Sequence, residues 1–289
     1  EWMDLRQCRS RKRGEKEKNK RFLLSEMTNH EKFVYAYYYN AIGYYNIIAL
    51  SNPVSALNYF SKAKEIISVV EGYEYMKFNI NYQLFATSLS LGRIEGAEKV
   101  IRELSDIYEA GLKNNTIDKS EIIYLYGGKA RLFLARGEYN EALEQINKCI
   151  ETLQQHNFKE NDKFLVVGYQ LKIEILNALD QYKEAYSLAE WFYKTYKSSF
   201  PPDHEIFANL YTKIAVAQYG QEKYQEALDN ANKALAMLTK VRKIDFEKIQ
   251  FTKDIQLAKA LTIKADCLSV LGIIEEALKI YEKAEAIHN

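Results

Sequence analysis

Six alanines, Ala56, Ala97, Ala142, Ala185, Ala227 and Ala277, recur in one small pattern along the chain. Three positions before each stands an apolar residue, usually Tyr or Ile, and five before stands a turn residue, often Gly. Small or apolar residues follow at four and seven. The clearest copies begin at Gly137, Gln221 and Gly272 and end on Ala142, Ala227 and Ala277. Self-similarity at such a period predicts a stack of helix pairs, in which each repeat buries its apolar face on its neighbours. A chain of 289 residues then needs no single large core.

Composition agrees with an all-α reading. Only 12 Gly and 3 Pro punctuate the sequence, too few for the turns of a β-rich fold. Long Ala/Leu/Glu/Lys-rich segments at helical spacing fill the space between them. With 47% hydrophobic and 27% charged residues the chain reads as a folded, soluble protein. No apolar run approaches the ~20 residues of a membrane span, and no signal peptide is visible in the charged first twenty residues. The three cysteines show no CxxC or Cys/His spacing. A reduced, cytoplasmic protein without structural zinc is the expectation. The chain opens with Glu1 rather than Met and is expected to be part of a larger protein.

The six alanines are spaced 41, 45, 43, 42 and 50 residues apart. The pattern resembles the tetratricopeptide repeat (TPR), whose two antiparallel helices meet through small residues. The resemblance covers roughly residues 29–289 and implies a right-handed superhelical solenoid of about six TPR-like helix pairs. It also implies a small residue twelve before each alanine. Ala130, Ala215 and Ala265 satisfy this in repeats three, five and six, whereas Tyr44, Phe85 and Ile173 depart from it. Repeats longer than ~34 residues resemble those of kinesin light chains and of Rap-type peptide receptors, and the extra residues are expected to lengthen the helices. The two-proline turn before Asp203 and His204 looks like a turn between kinesin-light-chain-type repeats.

Local signals mark some boundaries. Thr28 and Glu31 have capping-box spacing before an apolar run, which places a leader at 1–27 and the repeats at 28–289. Pro201 and Pro202 stop one helix, and Asp203 is expected to cap the next. The 50-residue gap before Ala277 predicts an insertion near 240–250. Gly127–Gly128, inside a first helix, suggests a close helix approach in preference to a ligand contact. The final helix is expected to leave Tyr281, Ala284 and Ile287 uncovered, which would favour chain continuation or self-association through that end.

Residues 6–21 carry nine Lys/Arg against Glu15 and Glu17. That segment lacks interleaved aromatic residues to stack on bases, so a solvated helix or linker is preferred and nucleic acid is not the expected partner. No catalytic constellation and no cofactor or metal motif rises above background, and a non-enzymatic protein is expected. His30, His156, His204 and His288 are scattered.

The TPR resemblance implies that first helices line a concave groove. The candidates are Asn79, Tyr82 and Gln83 in repeat two and Tyr124 and Arg131 in repeat three. Repeats four to six add Gln170, Glu174 and Asn177; Asn209, Thr212, Lys213 and Tyr219; and Lys259, Thr262 and Asp266. Asn and Gln each offer a donor and an acceptor to a peptide backbone. Tyr adds rigid contact area. Chaperone-tail receptors of this type use a basic clamp, but Glu174 and Asp266 here make an acidic tail a poor fit. The expected function is an interaction scaffold that holds a mixed-charge or mostly polar peptide segment. Two alternatives are a Rap-type signal-peptide regulator and a helical-repeat nucleic-acid binder using the leader.

Overall fold

A computed structural model describes residues 25–50, 52–155, 163–242 and 254–288. Most of the basic leader, His156 and most of the expected insertion lie outside the described residues. From Asn29 onward the described residues form twelve α-helices in six consecutive pairs. These are α1 (Asn29–Ile48) with α2 (Pro53–Ile67), α3 (Glu74–Ser90) with α4 (Ile94–Lys113), and α5 (Ile122–Arg136) with α6 (Tyr139–Gln155). They continue with α7 (Lys163–Ala178) and α8 (Tyr182–Tyr196), α9 (Glu205–Tyr219) and α10 (Tyr224–Arg242), and α11 (Ile255–Val270) and α12 (Ile274–His288). The helices run 15–20 residues, so the long repeat is spent on helix length.

The chain divides into two compact units, residues 1–121 and 122–289, a division that the repeat spacing does not signal. Repeats one and two belong to the first, repeats three to six to the second.

The alanine pattern has a direct packing cause. Each of the six alanines is 0–2% exposed, at the start of the second helix of its pair. Of the residues four and seven positions on, only Tyr281 is not fully buried. A larger side chain at the alanine site would push the pair apart.

The turn residue five before the alanine has a backbone cause. Gly92, Gly137, Asp180, Glu222 and Gly272 all have positive φ, between 58° and 81°. In each the amide donates to the carbonyl three residues back, and the next amide reaches five back, as Asp180 to Asn177 (3.2 Å) and Gln181 to Leu176 (3.0 Å). This closes the first helix and reverses the chain. Glycine adopts that conformation without strain, whereas Asp180 and Glu222 adopt it at a cost.

Capping follows the sequence at α1. Thr28 N donates to Glu31 Oε2 (2.7 Å) and Glu31 N donates to Thr28 Oγ1 (3.2 Å), a complete capping box. At α9 the structure corrects the expectation. His204, not Asp203, is the cap, its Nδ1 accepting from Ile206 N (3.2 Å), while Asp203 accepts from Lys240 Nζ (2.8 Å).

Three further expectations change. In repeat one the close approach is at Gly43, not Tyr44: a Cβ on Gly43 would meet the Phe60 ring at 2.4 Å. Tyr44 is half-buried, its ring edge-on to Phe60. At Gly127, the first glycine of the Gly127–Gly128 pair, a Cβ would meet only Ile123 of its own helix, at an ordinary 3.4 Å, so no close helix approach selects that position. At the last helix, Ala284 and Ile287 are 4% exposed and Tyr281 packs against the same core. The large apolar residues that α12 leaves exposed are Ile274 and Leu278. Residues 277, 280, 284 and 287 share the face turned to α11.

Candidate functional site

The second unit carries a polar groove built from first helices. Two adjoining cavities, of about 580 and 420 Å³, share Glu174, Asn209, Lys213 and Gln256. Arg131 and Gln170 line the larger; Asn177, Thr212, Tyr219, Lys259, Thr262 and Asp266 line the smaller. Residues spaced three or four apart on α7, α9 and α11 face the same way, which brings these side chains together.

At its centre stands an ion triad. Glu174 Oε2 accepts from Lys213 Nζ at 3.0 Å and Glu174 Oε1 accepts from Lys259 Nζ at 2.6 Å. The Lys213 side chain is only 12% exposed. Burial pushes the Glu174 carboxyl up, but the Lys213 and Lys259 ammoniums outweigh it and hold the group well below the usual carboxylate range. Burial also pulls Lys213 below an ordinary lysine; Glu174 opposes this, while Lys259 and Arg131 reinforce it. The Arg131 guanidinium is exposed and makes no ion pair or hydrogen bond to a described residue.

Around the triad lie amides. Gln170 Nε2 donates to Ile206 O (2.8 Å) and Asn177 Nδ2 donates to Lys213 O (2.9 Å), so α7 is tied to the α9 backbone. A backbone carbonyl takes only a donor, which fixes Asn177 with its NH2 toward α9. Asn177 Oδ1 is then a buried acceptor without a partner, and so is Asn209 Oδ1 on α9. Both residues line the smaller cavity. Buried acceptors are ordinarily satisfied, so each such oxygen calls for an explanation.

Several expected residues, whether or not they line a cavity, are engaged with neighbours. Thr212 is buried, its hydroxyl donating to Ala208 O in its own helix (3.2 Å). Tyr124 stands edge-on to Phe164 and lines neither cavity. Tyr219 is edge-on to Tyr224, and Asp266 accepts from the Tyr281 hydroxyl (2.5 Å). In the first unit Asn79 Oδ1 accepts from Asn40 Nδ2 (3.4 Å), and Asn79 and Gln83 lie near the Tyr44 hydroxyl. Tyr82 is tilted against Phe85 there.

Sequence reasoning missed Gln256 and the turn Pro201–Glu205, which lines the larger cavity. Gln256 is one turn before Lys259 on the face that holds Thr262 and Asp266, and that helical spacing was the available signal.

Cys149 and Cys267 are buried free thiols, pushed up by burial to about 12 and about 11. Among the described residues no group of His, Cys, Asp and Glu could hold a metal ion. No helix there is long and apolar enough to cross a membrane.

No protein-family model and no curated protein matches the sequence. Solved structures do. NprR in complex with its cognate peptide NprX is similar at 14% identity and TM-score 0.64, over 87% of this chain and 66% of that one. Aspartyl phosphate phosphatase F from Bacillus subtilis is similar at 15% identity and TM-score 0.64, over 92% and 73%. A kinesin-light-chain-type protein of nearly identical TPR-like repeats, from Podosopora anserina, is similar at 15% identity and TM-score 0.51, over 74% and 96%. Likeness at such identity concerns architecture alone, and on that level the chain is built on a TPR-type helical repeat.

Proposed function

We propose that the protein is a non-enzymatic interaction module whose second unit holds an extended peptide segment of a partner in the groove of α5, α7, α9 and α11. The observation that carries this reading is that Asn177 and Asn209, each with a buried Oδ1 that has no partner, line the same cavity from adjacent first helices. A peptide backbone supplies N–H donors at regular intervals, and two such donors would satisfy both acceptors. The likeness to NprR, solved with its peptide, supports the same use of the fold.

The test is affinity selection from a randomised octapeptide library by the wild type, Asn177→Ala and Asn209→Ala. Each substitution should weaken binding of the selected peptides roughly fivefold, the worth of one hydrogen bond. Unchanged retention of every peptide by both variants would show that the two oxygens do not face the ligand.

A second reading, a signal-peptide-sensing regulator, draws on the likeness to NprR and to aspartyl phosphate phosphatase F. It requires that an effector activity of the chain with its flanking sequence change when a selected peptide is added. The scaffold reading requires that it does not.

A further inference from the structure

The charges at the centre of the groove do not balance. Lys213 on α9 and Lys259 on α11 meet a single carboxylate, Glu174 on α7, and Arg131 on α5 lines the same cavity near Lys213. Three cations against one anion leave a local excess of two positive charges. Lys213 is nearly withdrawn from water, so solvent screens that excess weakly. Glu174 already spends both oxygens on the lysines, and Arg131 has no carboxylate of its own among the described residues. Three other carboxylates line the two cavities: Asp203 accepts from Lys240 (2.8 Å), Asp266 accepts from the Tyr281 hydroxyl (2.5 Å), and Glu205 lines the larger cavity at the start of α9.

We propose that the groove recognises one isolated carboxylate on its ligand, seated beside the Arg131 guanidinium at the Lys213 side of the triad. This rests on the peptide-groove reading and names the ligand's chemistry. A planar guanidinium takes a carboxylate through two parallel N–H···O bonds, and the neighbouring ammoniums deepen the potential. Glu174 limits the site to one such group, since it repels a second, and Asp203, Glu205 and Asp266 repel further acidic residues along the two cavities. The matching ligand is a peptide with a single carboxylate flanked by neutral or basic residues, and not the acidic run that three cations alone would invite.

The carboxylate can belong to an Asp or Glu side chain or to the peptide C-terminus, and one experiment separates the two. A randomised octapeptide library, made once with free C-termini and once amidated, is selected on the wild type, Arg131→Ala and Arg131→Glu. Arg131 is exposed, so both variants should fold, which circular-dichroism melting checks. The wild type should enrich Asp and Glu over Asn and Gln about tenfold in both libraries if a side chain is read. If the terminus is read, it should prefer the free acids by a similar factor. Arg131→Ala should abolish the preference and Arg131→Glu should turn it toward Lys and Arg. Peptides retained with no preference for a carboxylate of either kind would overturn the proposal and leave the peptide groove standing. A preference untouched by both Arg131 substitutions would overturn the assigned seat. Retention of no peptide by the wild type would overturn the groove reading and this proposal with it.

Discussion

Glu174 and Lys259 lie 85 positions apart in the chain, yet their side chains meet at 2.6 Å across the groove. The bond skips a repeat: Glu174 is on α7, Lys259 on α11, and Lys213 on the intervening α9 takes the second carboxylate oxygen. One carboxylate thus joins three consecutive first helices of the second unit, and its ionisation enters the stability of all three.

That linkage has a definite sign. Glu174 binds its proton more weakly folded than unfolded, where an ordinary glutamate titrates near 4.5. Its stabilisation is complete above that pH and is lost as pH falls toward the folded-state value. Denaturant melts of the wild type should weaken below about pH 5, and Glu174→Gln should flatten that limb. At pH 7 the same substitution should cost about 2 kcal/mol, less than a fully buried pair because the carboxylate is partly wet.

Asn177 and Asn209 should respond oppositely in the free protein. Asn177→Ala removes the bond to Lys213 O and should destabilise by about 1 kcal/mol. Asn209→Ala removes a buried oxygen that has no partner and should leave stability unchanged or raise it by up to about 1 kcal/mol. Thermal melts without peptide would decide, and a large loss for Asn209→Ala would point to a structural role for it.

Glu222 holds a positive φ of 62° where three other repeats have glycine. Glu222→Gly should relieve that strain and stabilise by about 0.5–1 kcal/mol, after the entropy that glycine costs. The urea midpoint should rise with an unchanged slope.

Gly43→Ala should destabilise the first unit by about 1–3 kcal/mol, because the added Cβ would stand 2.4 Å from the Phe60 ring. Phe60→Leu in the same background should recover part of the loss, a coupling measurable by a double-mutant cycle.

Ile287→Ala should cost about 2–4 kcal/mol, whereas Leu278→Ala should change stability by less than about 0.5 kcal/mol. Ile287 is buried against α11 and Leu278 is 57% exposed on the far side of the same helix. Equal costs would restore the uncovered face that the sequence suggested.

The sequence by itself determined the helix pairs, and the reason is local. An alanine at the start of each second helix and a turn residue five before it report contacts within one pair, which repeat with the chain. The same regularity brought most of the groove residues to one face from their spacing alone. Only the tertiary structure decided what depends on reach and on neighbours. It placed the close approach at Gly43 and not Tyr44, gave the α9 cap to His204, and turned Ile287 inward. It also gathered Lys213 and Lys259 on Glu174 and set Arg131 near Lys213. A side-chain ion pair across three helices leaves no period in the sequence, because its partners are chosen by length, burial and charge and not by the repeat.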